Sequence, residues 1–304
     1  QEKSKGIKAQ GSIMTKSIRP RRSVLYMPGS NARAQEKAKS LAADGLILDL
    51  EDAVAPDKKA EARDIVCANA ASGGYGKREI IIRVNGLDTP WGEDDIVAAA
   101  KAGPDAILLP KVESADQVKK LEEIMTAAGA PETTTIWCMM ETPLGILKAE
   151  EIASSSPRVD CFVMGTSDLV KDLQAQHTPL RLPVITSLGL CLLAGRAYGL
   201  TVLDGVYLDL DDENGFHDSC VQGLELGFDG KTLIHPKQLA STNDVFAPSE
   251  AEVAHSRKVI EAFEAAEKEG KGVVLVDGKL VENLHVEIAK AKVALADAIA
   301  AAAE

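Results

Sequence analysis

The sequence predicts a TIM (β/α)8 barrel, and two observations carry this prediction. Short apolar runs rich in β-branched residues alternate about eight times with segments of helical spacing. The runs are continuous rather than alternating in polarity, which indicates strands buried on both faces, as in a parallel sheet. An open doubly wound sheet is the less favoured alternative, because the turn MPGSNAR after the first run lacks the GxGxxG pattern.

Each predicted strand is a run of five to seven residues. The runs are SVLYMP (23–28), GLILDL (45–50), EIIIRVN (79–85), AILLPK (106–111), TIWCMM (135–140), CFVMG (161–165), TVLDGVY (201–207) and KTLIHP (231–236). The segments between them have Asp, Ser or Asn near their starts and Gly near their ends, which is typical of helix caps. The chain is therefore divided here into eight βα units.

Three regions are predicted along the chain. Residues 1–17 are interpreted as a disordered tail or an expression remnant, and they include Met14, a plausible native start. Residues 18–246 form the catalytic barrel. Residues 247–304 form a helix–hairpin–helix extension that turns at the Asp277-Gly278 dipeptide. This extension either caps the barrel, acts as a lid, or completes a site on a neighbouring subunit.

Composition excludes several classes of function. A net charge of -12 in 304 residues argues against general binding of nucleic acid or anionic membranes, although a local basic pocket is compatible with it. No run approaches the ~18 apolar residues of a membrane span. The five cysteines form no CxxC pair and no Cys/His cluster, so neither zinc nor a disulfide framework is expected, and a reducing cytoplasm fits best.

Polar residues follow the apolar runs, and in a parallel barrel all strand ends open on one face. Glu141 follows the fifth run and Asp168 follows the sixth. Carboxylates on neighbouring strands can share one cation, and the absence of nearby His or Cys favours Mg²⁺, or Mn²⁺, over zinc. The alternative is that Glu141 and Asp168 only cap the helices that follow.

Arg83 ends an otherwise apolar strand, where a guanidinium suits carboxylate binding or enolate stabilisation. Glu51 and Asp52 are predicted to orient Arg83 or to accept hydrogen bonds from metal-bound waters. Their alternative roles are a structural ion pair with Arg83 and the cap of the next helix. Lys111 could hold an anion or pair with Glu141, but taken alone it is a weak signal.

Two further groups suggest anion binding. Gly165 and Thr166 precede Asp168 at a predicted helix start, where backbone N–H groups can bind a carboxylate. The first loop carries a basic patch that a nucleotide-phosphate ligand such as coenzyme A would need, with a solvated helix face as the alternative. The patch consists of Arg21, Arg22, Arg33, Lys37 and Lys39.

The combined motifs resemble the CitE-like branch of the HpcH/HpaI aldolase and citrate lyase superfamily. They are RRSVLYMPGS, LILDLEDAVAPDKKAEAR, IIIRVNGLDTPW, ILLPKVESADQV, METPLGI, MGTSDLV and GFDGKTLIHPKQL. The resemblance covers almost the whole chain from about Arg19. It implies a TIM barrel that assembles as a homotrimer or hexamer. Such an enzyme would use Mg²⁺ and would bind a β-hydroxyacyl-CoA thioester and a small 2-oxo acid.

The resemblance also implies roles residue by residue. Glu141 and Asp168 would hold the metal, with Glu141 also near the substrate, and Arg83 would hold the substrate and its enolate. The remaining residues would act around them, with Glu51 and Asp52 behind the metal waters and Arg22, Tyr26 and Lys37 along the CoA path. Asn31 stands where some lyases carry a basic residue, which weakens that CoA contact.

The chain departs from the family pattern in its tail. Many of these lyases carry an aspartate after the hairpin, which serves as a catalytic acid for a neighbouring subunit, whereas this chain has Glu282. The extra methylene moves the carboxylate by about an ångström, a displacement that can cost ~100-fold. A carbon–carbon lyase acting on malyl-CoA or citramalyl-CoA is the first hypothesis. The alternatives are a (3S)-malyl-CoA thioesterase and a citrate lyase β-like subunit that acts on an acyl-carrier protein.

Overall fold

The computed structural model describes residues 19–303. The predicted N-terminal tail, residues 1–17, lies outside this described part. The described residues form two compact units, one spanning Arg21–Ala247 and the other beginning at Pro248. No helix among the described residues is long and apolar enough to cross a bilayer.

The first unit is a closed barrel of eight parallel strands, which confirms the predicted fold class. Each strand pairs with the next in sequence, and the eighth pairs with the first. The strands are β1 Ser23–Pro28, β2 Gly45–Asp49, β3 Glu79–Arg83, β4 Ala106–Leu109, β5 Thr135–Met140, β6 Val159–Met164, β7 Thr201–Asp204 and β8 Gly230–Leu233. All eight coincide with predicted runs to within about three residues.

Helices surround the strands. Those of the barrel unit are α1 Ala32–Ala38, α2 Lys59–Ser72, α3 Gly92–Ala102, α4 Ala115–Ala127, α5 Pro143–Leu147, α6 Ala149–Ala153, α7 Thr166–Asp172, α8 Ile185–Ala197, α9 Glu213–Leu226 and α10 Leu239–Val245. Short 3₁₀ turns lie at Pro56–Lys58, Leu182–Val184 and Pro236–Gln238. Side chains that point outward from the strands pack against these helices to form the larger core.

The barrel interior is filled with apolar side chains and closed at its N-terminal end by a buried ionic cluster. Arg21 donates to Glu79, Asp160 and Thr201 at 2.6–2.8 Å, and its guanidinium lies 4.9 Å from the Trp137 ring centroid. Because this charge is paired and hydrogen-bonded, its burial is tolerated. The other, C-terminal end of the barrel is left open for chemistry.

The second unit consists of a long helix, a hairpin and a final helix, as the sequence predicts. Its elements are α11 Glu250–Lys268, β9 Val274–Val276, β10 Lys279–Val281 and α12 Asn283–Ala303. Ser249 and Glu252 form a capping box at the start of α11. The hairpin turns at Asp277 and Gly278, which both have positive φ angles of 50° and 76°, as a two-residue type I′ turn requires.

Candidate active site

A cavity of about 380 Å³ opens at the C-terminal ends of the barrel strands. Its lining combines apolar side chains from the barrel with charged residues at the ends of four strands, β2, β3, β5 and β6. The charged residues in the lining are Asp49, Asp52, Arg83, Glu141 and Asp168. The strand-end residues that the sequence singled out therefore do converge on one side of the barrel.

Arg83, the last residue of β3, is the best-anchored cation of this cavity. Its Nε and Nη2 donate to the two carboxylate oxygens of Asp49, each at 2.7 Å. Its Nη1 lies 2.9 Å from Glu51 Oε2 and 3.7 Å from the exposed Asp52. These carboxylates, together with the nearby Tyr26, raise the pKa of Arg83 further despite its burial. Arg83 is consequently a fixed, permanent positive charge.

Tyr26 lies within the barrel mouth beside Arg83. Its ring centroid is 4.9 Å from the guanidinium carbon, and its hydroxyl lies 3.5 Å from Met139 Sδ. Burial raises the pKa of Tyr26 well above its ordinary value, so the ring is neutral at physiological pH. The structure places Tyr26 in the cavity wall, stacked against Arg83, and its predicted place on the CoA path stays a prediction.

Asp49 is a site residue that sequence reasoning missed. It is nearly fully buried, and the neighbouring Arg83 guanidinium outweighs the effect of burial and holds its pKa low. The signal was available, because Asp49 and Arg83 are paired positions in the β2–β3 register. The sequence interpretation counted Asp49 as an ordinary strand residue of the run GLILDL, whereas its carboxylate binds Arg83 directly.

Glu51 is held by cations from several directions. Lys111 Nζ donates to its Oε1 at 2.6 Å, and Lys59 Nζ donates to the Leu50 and Glu51 carbonyls at 2.9 and 2.6 Å. Glu51 Oε2 is buried and accepts no hydrogen bond of good geometry from the described residues, although Arg83 lies 2.9 Å away. Burial raises the pKa of Glu51 in spite of these neighbours. The Glu51 carboxylate is therefore held between two cations, with Lys111 at Oε1 and Arg83 at Oε2.

Glu141 directly follows β5 and is almost completely buried. Its Oε1 accepts the backbone N–H of Lys111 at 2.8 Å. A Cβ placed on Gly165 would come within 2.4 Å of Glu141 Cβ and 2.5 Å of its Oε2, so only glycine leaves room for this carboxylate. Burial, and then repulsion from Glu51, raise the pKa of Glu141 to about 7. Excess negative charge at this point favours a bound cation.

Asp168 lies in the first turn of α7 and is partly exposed. Lys171, one turn along the same helix, lies 2.9 Å from its Oδ1, and Lys111 lies 3.7 Å from its Oδ2. These two lysines outweigh the effect of partial burial and lower the pKa of Asp168. The ionised carboxylate is therefore present at neutral pH and lines the same cavity as Glu141.

The donor set fits a hard divalent cation. Glu141 and Asp168 both line the cavity and would offer carboxylate oxygens to a metal, and Mg²⁺ commonly takes one or two protein carboxylates and keeps several waters. Among residues 19–303, no group of three or more His, Cys, Asp or Glu side chains has metal-binding geometry. A site of two carboxylates completed by water and substrate oxygens is consistent with that finding.

Gly165 and Thr166 are both in the cavity wall, but Gly165 does not offer the backbone N–H that was expected of it. The Gly165 N–H donates to the Met140 carbonyl at 3.1 Å and is not available to a ligand. Thr166 begins α7, and the first N–H groups of a helix have no partner within the helix. Gly165 therefore makes space for Glu141, while substrate binding by Thr166 stays a prediction.

The structure does not bring Arg22 and Lys37 to this cavity. Arg22 precedes β1 and so lies at the N-terminal end of the barrel, where it pairs with Asp44 at 2.8 and 2.9 Å. Lys37 is exposed near the C-terminal end of α1 and is not in the cavity wall. Because Arg22 lies at the end of the barrel opposite the cavity, it is removed from the expected CoA path.

Glu282 belongs to the second unit. It directly follows β10, its side chain is exposed, and its backbone N–H donates to His285 Nδ1 at 3.1 Å. An exposed carboxylate after a hairpin is accessible to another molecule. Its catalytic role stays a prediction.

Comparison with known proteins agrees with this combination of barrel and acidic cavity. Residues 22–236 match the model of the HpcH/HpaI aldolase/citrate lyase family. This match spans more than half of the chain, and the chain belongs to that family of enzymes.

Individual relatives narrow the comparison. The chain is 52% identical over 288 residues to a (3S)-malyl-CoA thioesterase of Cereibacter sphaeroides, covering 95% of this chain and 99% of the relative. It is 37% identical to the citrate lyase subunit beta of Escherichia coli, covering 92% and 94%. A crystal structure of CitE from Mycobacterium tuberculosis with magnesium, acetoacetate and coenzyme A has a TM-score of 0.72 and 27% identity, covering 90% and 97%.

These relatives change the order of the hypotheses. The sequence motifs placed the carbon–carbon lyase first and the thioesterase second. The more similar relative is a thioesterase at 52% identity, compared with 37% for the lyase subunit. The thioesterase hypothesis is therefore the better supported of the two.

Proposed function

We propose that this protein is a magnesium-dependent thioesterase that hydrolyses (3S)-malyl-CoA to malate and coenzyme A. The observation that carries the proposal is the 52% identity to a (3S)-malyl-CoA thioesterase over 95% of the chain. The cavity supports it, because a fixed arginine faces two carboxylates suited to a divalent cation. The Mg²⁺ of the CitE complex is a further argument for this metal.

Substrate binding follows from the fixed charges. Glu141 and Asp168 would hold Mg²⁺, which when bound supplies a Lewis acid for substrate oxygens. The Arg83 guanidinium, held by Asp49 and Tyr26, would bind an oxygen of the substrate on which negative charge develops. Such a preorganised donor stabilises an oxyanion without reorganising during the reaction.

Hydrolysis requires a water to lose a proton as it attacks the thioester carbonyl. Glu51 and Asp52 are the proposed acceptors, since burial raises the pKa of Glu51 and Asp52 is exposed. The C–S bond then breaks, and the thiolate leaves with a proton. We propose Glu282 as the acid, and its extra methylene relative to aspartate fits a shift from carbon protonation toward hydrolysis.

The CoA moiety and the assembly are further parts of the proposal. Tyr26, Lys37 and Thr166 remain the proposed CoA or substrate contacts, and two of them, Tyr26 and Thr166, line the cavity. Exposed leucines on the barrel helices, including Leu147 at 79% and Leu193 at 71%, support a homo-oligomer. A trimer or hexamer is proposed, so that Glu282 serves a neighbouring subunit. A cytoplasmic location is proposed with it.

Carbon–carbon cleavage to acetyl-CoA and a 2-oxo acid is the second candidate. The citrate lyase subunit beta at 37% identity supports it, as does the acetoacetate in the CitE complex. The same Arg83 would then stabilise the acetyl-CoA enolate. A subunit that acts on an acyl-carrier protein is the third candidate, and it predicts no turnover of free CoA esters.

Oxygen labelling tests the hydrolysis. The enzyme is incubated with (3S)-malyl-CoA and Mg²⁺ in H₂¹⁸O, and malate and free CoA are quantified by mass spectrometry. We expect one ¹⁸O atom in the thioester-derived carboxylate of each malate, with one CoA released per malate. Acetyl-CoA without free CoA would contradict the proposal, and so would the absence of turnover.

A further inference from the structure

Lys111 occupies an unusual position at the mouth of the barrel. It follows β4 after one intervening proline and has a φ of 49°, a left-handed backbone that residues other than Gly, Asn and Asp seldom adopt. Strained conformations of this kind persist where surrounding contacts hold them, and they cluster at functional sites. The contacts of Lys111 explain what holds this one.

Its backbone and its side chain bind different carboxylates. The backbone N–H of Lys111 donates to Glu141 Oε1 at 2.8 Å. The ammonium donates to Glu51 Oε1 at 2.6 Å and lies 3.7 Å from Asp168 Oδ2. One residue thus fixes one proposed metal ligand through its backbone and places a positive charge beside the other.

Lys171 also pairs with Asp168, but its position differs. It is more exposed, at 66% against 45% for Lys111, and its ion pairs are with Asp168 and Asp172 of its own helix. Exposed pairs within a helix contribute little. Lys111 instead connects the ends of three strands, β2, β5 and β6, through Glu51, Glu141 and Asp168.

We propose that Lys111 is a tethered counter-cation of the metal site. In the metal-free protein its ammonium neutralises Glu51 and Asp168. Binding of a divalent cation at Glu141 and Asp168 requires the ammonium to move away from Asp168, so Lys111 lowers the affinity for free metal while it keeps the empty carboxylate cluster stable. This inference rests on the metal site of the proposed function.

Titration with Mn²⁺, followed by the electron paramagnetic resonance of the free ion, tests this role without an activity assay. We expect Lys111→Met to bind Mn²⁺ about tenfold more tightly than wild type, the size expected for charges ~5 Å apart in a water-like dielectric. Lys111→Arg keeps the charge and should restore the wild-type affinity. Lys119→Met removes an exposed lysine paired only within α4 and should change nothing.

A second readout separates this role from a merely structural one. Metal-free Lys111→Met should melt at a lower temperature than metal-free wild type, and saturating Mn²⁺ should close most of that gap. If Lys111 only supported the loop, Lys111→Met would bind Mn²⁺ more weakly, and unchanged or weaker binding overturns the inference. Absence of Mn²⁺ binding by wild type would instead overturn the metal site itself, and the inference with it.

Discussion

The two oxygens of Asp49 accept parallel hydrogen bonds from Nε and Nη2 of Arg83, both at 2.7 Å. This bidentate pair joins the last residues of two adjacent strands, which are partners in the β2–β3 register. Paired charge-assisted hydrogen bonds fix a guanidinium in orientation as well as in place. The geometry of the proposed oxyanion donor therefore depends on Asp49.

Asp49→Asn should reduce kcat/KM for the CoA thioester by about 100-fold, because loss of one charge-assisted contact allows Arg83 to shift on an ångström scale. Steady-state kinetics on the folded fraction measure this effect. Asp44→Asn is the matched control, since it breaks the equivalent bidentate pair with Arg22 at the opposite end of the barrel. Equal losses in the two variants would contradict a specific role for Asp49.

Tyr26 tests whether the ring or the hydroxyl matters. Tyr26→Phe keeps the ring against Arg83 and should change kcat/KM less than about threefold, whereas Tyr26→Leu loses a cation–π contact of about 1–2 kcal/mol and should cost roughly tenfold. Tyr75→Leu, which removes a similar contact with Lys39, is the control. A large loss in Tyr26→Phe would instead favour a direct substrate contact by the hydroxyl.

Asp168→Asn should abolish the Mg²⁺-dependent rise in thermal stability and reduce activity at least 100-fold, because one of two proposed metal ligands loses its charge. Differential scanning fluorimetry with and without Mg²⁺ measures the first effect. Asp172→Asn alters the same helix and also pairs with Lys171, so it is the control. A normal Mg²⁺ response in Asp168→Asn would remove Asp168 from the metal site.

A pH dependence of stability follows from Asp204, the fully buried last residue of β7. Arg181 and Lys231 bind its two oxygens at 2.6 and 3.0 Å, and these cations outweigh burial and lower its pKa. The stability from ionised Asp204 is therefore complete above the unfolded value of about 3.9 and is lost as the pH falls through the lower folded value.

Asp204→Asn should consequently lower the free energy of unfolding by about 3–5 kcal/mol at pH 7, because it leaves buried cations without their partner. The difference from wild type should stay constant between about pH 5 and 8 and narrow below about pH 4. Denaturant unfolding at each pH measures it, with the exposed Asp211→Asn as control. A gap that persists unchanged in acid would contradict this assignment.

The sequence was sufficient for the barrel and for much of the cavity, because continuous apolar runs show where strands end. Glu141, Asp168 and Arg83 follow from that logic alone. Arg22 could have been excluded in the same way, since it precedes its strand and must lie at the N-terminal end.

Other features depend on tertiary contacts that no local pattern reports. A pairing of Lys111 with Glu141 was one expectation, but the structure makes it through the backbone N–H of a left-handed residue, a conformation that the residue type disfavours. Gly165 is required by the volume of the Glu141 side chain, which arrives from another strand. In the proposed function, the choice between hydrolysis and carbon–carbon cleavage depends on the placement of Glu282, which no local pattern reports.

The central claim is tested most directly by the products formed from (3S)-malyl-CoA in the presence of Mg²⁺ and phenylhydrazine, which traps glyoxylate. We predict equal amounts of malate and free CoA, with no glyoxylate phenylhydrazone. Accumulation of the phenylhydrazone together with acetyl-CoA, and without free CoA, would contradict the thioesterase and establish the lyase.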